Sequence, residues 1–141
     1  MAFLAEDRLA VYELLSRYIH VIDSDRNEEI FFGLITDDVV FEGPAGHFAG
    51  HDELVKWLHQ DEIPGYRHLT SNVFVDGNGD DTAELHATFT TVITSPTGGD
   101  PTRAESHTSL YQAGSYDCSA RKVDGVWRFS RRSVKVFDLL L

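Results

Sequence analysis

The spacing of apolar positions changes partway along the chain. Over residues 6–24, EDRLAVYELLSRYIHVIDS, Leu9, Tyr12, Leu15, Ile19 and Ile22 recur at steps of three and four, which predicts an amphipathic helix. Glu6 and Asp7 stand where the first turn of a helix favours negative charge. Adding four to Ile19 reaches Asp23, so the stripe expected to face the core ends in a carboxylate. Residues 27–35, NEEIFFGLI, predict a second short helix with Asn27 as its N-cap and Glu28 and Glu29 in its first turn. VVFEG, 39–43, predicts a strand. HDELVKWLHQ, 51–60, predicts a third helix, with Leu54, Trp57 and Leu58 at helical spacing and Pro64 and Gly65 closing the segment.

From Tyr66 the helical period gives way to long runs rich in Val, Thr, Phe and Tyr, which predict strands at 66–75, 82–94, 105–118 and 126–137. DGNGDD and KVDGV supply tight glycine-containing turns and so argue for antiparallel hairpins, whereas SPTGGDP makes a longer connection. Helices first and an antiparallel sheet after is the order of an α+β fold with helices on one face. A length of 141 residues suits one domain, 1–141. Alternation over 66–75 puts Tyr66, His68, Thr70, Asn72 and Phe74 on one face and Leu69, Val73 and Val75 on the other. Both faces then carry apolar groups, and a neighbouring subunit is the expected cover for the second, which predicts a homo-oligomer.

Composition narrows the partners. A net charge of −11, with no cluster of Lys and Arg interleaved with aromatics, argues against nucleic acid. No apolar run approaches the ~18–20 residues needed to span a bilayer, so no membrane partner is expected. The opening MAFLAEDRLAVYELL lacks the basic and apolar regions of a secretory signal, and Cys118 stands alone, so a cytoplasmic location is expected.

The residues suited to chemistry begin with His68, in the middle of GYRHLTSN, where an imidazole on a buried strand needs a polar partner. A carboxylate at the end of the first helix has the complementary need: Asp23 would accept the imidazole N–H, fix its tautomer and stabilise the imidazolium. An inert buried pair, or two residues that never meet, satisfies the same pattern. Tyr18, five residues before Asp23, lies roughly 140° round the helix from it, so the two would flank one edge of a cavity. In GVWRFSRRSVKVF strict alternation puts Trp127, Phe129 and Arg131 on one face and Arg128, Ser130, Arg132, Val134 and Val136 on the other. Arg131 and Arg132 must point opposite ways, and the inward one could stabilise an oxyanion or anionic leaving group. His47 and His51 are four apart but flank Gly50 across a loop-to-helix junction, so no metal site is expected. Gly43, Gly46 and Gly50 lack the strand–loop–helix order of a phosphate loop. Trp57 and Trp127 read first as core aromatics, and the C-terminal FDLLL as a segment docked on an apolar groove.

Four stretches in this order, LLSRYIHVID, FAGHDELVKWL, RHLTSN and GSYDC followed by VDGVWRFSRRSVKV, resemble the SnoaL-like branch of the nuclear-transport-factor-2-like (NTF2-like) superfamily. This branch includes relatives of scytalone dehydratase, bile-acid 7α-dehydratase and hexachlorocyclohexane dehydrochlorinase. The resemblance covers nearly the whole chain and implies a cone-shaped α+β fold with a curved, mostly antiparallel sheet. It matches the family's helix Asp and strand His to Asp23 and His68, a second polar group of the first helix to Tyr18, and an Arg of the last strand to Arg132 rather than Arg131. His86 is a loose match to a further catalytic His of scytalone dehydratase, and the implied pocket wall is Trp57, Phe41, His86 and Phe89. The implied activity is a cofactor-free lyase, a dehydratase-type elimination on a small apolar hydroxylated or carbonyl-bearing substrate, in a homo-oligomer, trimer or dimer. An isomerase or cyclase of ketosteroid-isomerase or polyketide-cyclase type would use the same residues. A non-catalytic ligand-binding module, or a structural subunit like the β subunit of aromatic-ring dioxygenases, is the competing class.

Overall fold

The structure, a computed structural model, describes residues 2–60, 65–96 and 106–137. In chain order the elements are α1 (Ala5–Ile22), α2 (Glu28–Phe32), β1 (Ile35–Gly43), β2 (Gly46–Ala49), α3 (Gly50–Leu58), β3 (Tyr66–Asn78), β4 (Thr82–Pro96), β5 (Ser106–Val123) and β6 (Val126–Val136). The strands form one curved sheet in the order β2-β1-β6-β5-β4-β3, antiparallel throughout except between β1 and β6. This is the α+β architecture that helices followed by strands predicted, with β2 added where the sequence was read as loop. Residues 97–101 of the SPTGGDP connection and 138–141 of the C-terminal segment lie outside the described residues.

Local chemistry explains the element ends. Asn27 Oδ1 accepts from the Ile30 N–H at 3.0 Å and caps α2. Glu53 Oε2 accepts the Ala49 N–H at 2.6 Å ahead of α3. Between β5 and β6, Asp124 (φ 51) and Gly125 (φ 81) make the two-residue Asp-Gly turn whose twist suits a hairpin.

The core lies between the helices and the inner face of the sheet. Val11, Leu15, Phe31, Leu54 and Leu58 from the helices meet Phe41, Val75, Leu85 and Phe129, all buried, each side chain worth about 1.5–3 kcal/mol of transfer free energy. Small inward residues (Ala83, Ala87, Cys118, Ala120) let helix and sheet approach closely.

The buried face of α1 differs from the predicted stripe. Asp7, Val11, Leu14, Leu15, Tyr18, Val21 and Ile22 are buried, whereas Leu9 is 58% and Tyr12 46% exposed. Apolar residues surround this helix, so two neighbouring rows satisfy the same period and spacing does not choose between them. The chosen row has Tyr18 at its centre.

Helix α1 is also tied to main-chain groups of β3, the edge strand. Near its start Arg8 Nη1 donates to the Val75 carbonyl, and just past its end Asp23 Oδ2 accepts the His68 N–H at 2.7 Å. The described helices include none long and apolar enough to cross a membrane.

Among the described strands the register shifts at four places, between β1 and β6 over Ile35–Val40 and at single-residue bulges in β3, β5 and β6. In β3 the register slips between Ser71 and Phe74, with Asn72 at φ 53, so Phe74 turns to the outer face, away from His68. In β5 Tyr111 is the extra residue between Leu110 and Gln112. In β6 Phe129 pairs with Ala120 but Arg131 with Ser119, leaving Ser130 as the extra residue. Arg132 therefore shares the inner face with Trp127 and Phe129, where strict alternation would have placed Arg131.

Candidate active site

Asp23 is the C-cap of α1, so the turn after the helix, not the helical period, sets its direction. Its Oδ1 lies 2.7 Å from His68 Nδ1, while Oδ2 holds the backbone N–H of the same residue. One carboxylate thus fixes both the strand position and the ring of His68, and each side chain is only 11% exposed. An ionised carboxylate only accepts, so Nδ1 carries the hydrogen and Nε2 is left as a lone-pair acceptor for the cavity that His68 lines. The turn is braced by Arg26, whose Nε donates to the Ile22 carbonyl (3.2 Å) and whose Nη1 donates to the Leu58 carbonyl (3.0 Å). These bonds satisfy carbonyls left open at the C-terminal ends of α1 and α3 and join the two helices at the cavity.

The second cluster sits deeper. Arg132, 9% exposed, donates from Nη1 to Tyr18 Oη at 3.1 Å. Its guanidinium carbon lies 4.4 Å from the Phe41 ring centroid and 5.1 Å from that of Trp57, both favourable cation–π distances. Burial raises the Tyr18 phenol above its usual pKa, and the Arg132 cation opposes that rise only in part. Tyr18 is therefore a neutral phenol at neutral pH, and because its oxygen accepts from Arg132 its own proton is available to an acceptor in the cavity.

His68, Tyr18 and Arg132 line one cavity of about 450 Å³, the size of a small-molecule site, with Asp23 behind His68. Trp57, Phe89, Tyr66 and Tyr116 supply aromatic wall, Ile22, Val134 and Val136 aliphatic wall, and Gln60, Gln112 and the 43–45 turn the remaining polar surface. Tyr66 meets His68 edge-on with ring centroids 5.0 Å apart, and burial raises its phenol against an opposing hydrogen bond from Thr91. Burial pushes Tyr116 well above the ordinary phenol value.

The structure brings together Asp23, His68, Tyr18 and Arg132, with Trp57 and Phe89 on the wall. Two other expected wall residues stand elsewhere. Phe41 is fully buried behind the wall, packed on Tyr18, Trp57 and Arg132. His86 is on the outer face, where Nδ1 meets Asp117 Oδ1 at 2.6 Å and Phe74 packs on its ring. Its place in β4, paired with Phe74 and Asp117, sets that direction. Arg131 is also on the outer face, donating to Glu42 at 3.0 Å, and His107 is exposed. His51 stacks on Phe32 and His47 is exposed in β2; among the described residues no three His, Cys, Asp or Glu side chains converge as metal ligands.

Sequence reasoning missed Tyr66, Tyr116, Gln112 and Arg26 as cavity residues. Tyr66 was findable, lying two residues before His68 on the same strand face. Tyr116, Gln112 and Arg26 carried no such signal, since a bulge displaces one register and a left-handed turn residue (Arg26, φ 54) aims another.

A sequence profile described as the SnoaL-like domain matches residues 4–133. The chain belongs to the SnoaL-like family. No curated protein is similar enough to this SnoaL-like chain to count as a match. Among solved structures, a protein of unknown function with a cystatin-like fold from Nostoc punctiforme superposes with a TM-score of 0.80 at 23% identity, covering 99% of this chain and 98% of that one. A scytalone dehydratase candidate from Novosphingobium aromaticivorans gives 0.74 at 22% identity over 92% and 83% of the two chains. The hexachlorocyclohexane dehydrochlorinase LinA-type3 of Novosphingobium barchaimii gives 0.67 at 17% over 94% and 87%. At these identities the likeness establishes the fold, the NTF2-like cone of the SnoaL-like family, and leaves the activity to the site.

Proposed function

We propose that this SnoaL-like protein is a cofactor-free lyase that eliminates water from a small hydroxylated or carbonyl-bearing substrate. The observation that carries the reading is the Asp23–His68 pair at 2.7 Å on the same cavity as the Arg132–Tyr18 pair at 3.1 Å. A base and an electrophilic clamp around one cavity are the two parts an elimination needs.

His68 Nε2 takes a proton from carbon, and the imidazolium is held by Asp23. The C–O bond to the departing hydroxyl breaks as Tyr18 delivers its proton, so water leaves and a double bond forms. The Tyr18 oxygen, transiently negative, is stabilised by Arg132 and regains its proton from the imidazolium through solvent. A positioned base contributes about 10²–10⁴ in rate, and loss of one preorganised donor to a developing oxyanion costs about 10²–10³. Dehydratase and dehydrochlorinase neighbours in the fold support the class of chemistry.

The test is turnover of a panel of hydroxylated and carbonyl-bearing aromatic, terpenoid and steroid compounds, followed by mass spectrometry with wild type and His68→Ala. Loss of one water with wild type alone supports the lyase. A product of unchanged mass made by wild type alone would instead indicate an isomerase or cyclase, and binding without product in both would indicate a ligand-binding module.

A homo-oligomer, dimer or trimer, is part of the proposal, supported by exposed Leu69, Phe74 and Leu110 on the outer face of β3 and β5. Light scattering on the purified protein tests it, and a monomer at micromolar concentration would refute it. A cytoplasmic location fits the lone buried thiol of Cys118.

A further inference from the structure

Arg132 poses a problem of charge that the elimination leaves open. Its guanidinium is taken out of water, at an effective cost of several kcal/mol, and the groups around it are neutral. Nη1 meets a phenol, the rings of Phe41 and Trp57 lie beside the guanidinium, and Nε is buried with no hydrogen-bond partner in the protein. Its strand neighbours are Cys118 on β5 and Phe41 on β1, neither of them acidic.

The acids near it are occupied or face away. Both oxygens of Asp23 are held by His68. Glu42 and Asp117, next to Arg132's strand partners in sequence, are on the outer face with Arg131 and His86. Among the described residues lining the cavity there is no Asp or Glu, although the chain carries 23 acidic residues against 12 Lys and Arg. The cavity is a cationic spot in an acidic protein.

We infer that the substrate supplies the missing counter-charge: the cavity takes an acid with a conjugated body as its anion, with the anionic oxygen seated against Arg132. The inference rests on the reading of this cavity as the substrate site and names the charge of that substrate. Arg132 lines the cavity beside the rings of Trp57, Phe89 and Tyr116, which suit an aromatic or polyunsaturated body. A charge-assisted bond to a guanidinium only 9% exposed is worth more than its neutral counterpart, so the anion should be preferred over a neutral compound of the same shape. A carboxylate and an ionised phenol or enol share this chemistry.

Calorimetric titration separates them. Naphthoate is compared with naphthamide, and nitrophenolate with nitroanisole, against wild type, Arg132→Gln, Arg132→Lys and His68→Ala at fixed ionic strength. The expected result is that at least one anion binds wild type about tenfold or more tighter than its neutral isostere, the factor that 1.4 kcal/mol represents. Preference in the first pair assigns a carboxylate, and preference in the second a phenol or enol. Arg132→Lys should keep the preference and Arg132→Gln lose it. His68→Ala should keep it while losing turnover, so the charge of the ligand and the elimination can fail separately. Equal binding of anion and isostere by wild type, no binding of either anion at millimolar concentration, or a preference that survives in Arg132→Gln would overturn the inference. The wild-type comparison decides the matter even if Arg132→Gln does not fold.

Discussion

Replacing Asp23 by Asn changes one atom of the site and reverses the proton on the nitrogen that matters. The carboxylate accepts twice from His68, at the backbone N–H and at Nδ1, each at 2.7 Å. An amide accepts only through Oδ1. If that oxygen stays on the backbone N–H, the NH₂ group faces Nδ1 and can bond there only as a donor. Nδ1 must then give up its hydrogen, the ring takes the Nε2–H tautomer, and the nitrogen toward the cavity becomes a donor instead of a base. Turnover should fall by about 10⁴, the scale seen where a His loses its orienting carboxylate and adopts the wrong tautomer. The fold should survive with a loss of about 2–3 kcal/mol, since one charge-assisted bond between two largely buried groups is weakened and another is remade as neutral. At about 4 °C per kcal/mol for a chain of this size, the melting temperature should drop by roughly 8–12 °C. Long-range proton–nitrogen NMR of the imidazole reads the tautomer directly, alongside melting and turnover. An Asp23→Asn protein that keeps the Nδ1–H tautomer would refute the tautomer argument, and one that adopts the Nε2–H tautomer and still turns substrate over normally would refute the assignment of His68 as the base.

Three further outcomes follow from other parts of the molecule. Asp7 is held below the usual carboxylate range by Trp127 Nε1 (3.0 Å), the Leu4 N–H (3.1 Å) and Lys122 (3.2 Å). A carboxyl whose pKa is lowered on folding stabilises fully above its unfolded value, near about 4, and loses that stabilisation as the pH falls through the folded value, so Asp7→Asn should flatten the acid side of a denaturation-versus-pH curve; an unchanged acid limb would refute this. Burial pushes the Cys118 thiol up to about 12. It should react with a thiol reagent at pH 8 only after unfolding, and rapid labelling of the native protein would contradict its place in the core. At Gly114 an added methyl would stand 2.0 Å from the Lys135 carbonyl oxygen and 2.6 Å from the Phe89 ring. Gly114→Ala should therefore cost about 1–3 kcal/mol in chemical denaturation and weaken ligand binding by displacing Phe89, and an unaffected midpoint would show that β5 yields there at no expense.

The parts of this architecture that depend on period alone were legible from the sequence. Helix–sheet order belongs to this group; the tight turns were read from their glycines, and the pairing of Asp23 with His68 from complementary chemistry and the resemblance, Asp23 reaching its partner as a cap residue and not as the next position in a stripe. What failed were inferences that extended a period across a bulge. Ser130 and the slip around Asn72 each insert a residue that periodicity does not register, and each swaps the face of everything beyond it. Arg132 was chosen over Arg131 by resemblance, against strict alternation, and the Ser130 bulge supplies the physical reason. His86 and Phe41 were misplaced for other causes: His86, paired with Phe74 and Asp117, faces outward from β4. Whether an inward residue touches a cavity or backs its wall depends on the side chains in front of it, and for Phe41 those are Tyr18 and Trp57.

The attachment of α1 to β3 also bears on how such a protein stays in solution. An uncovered border strand offers its amide groups to any passing chain, and proteins commonly blunt such borders with charge or with a covering element. Here one of the two fastenings is the carboxylate that steers the base. A lineage that abandoned the chemistry and let Asp23 drift would lose a guard against self-association along with an activity. Retention of this aspartate in a relative that has lost its histidine would then reflect protection of the strand border and not catalysis.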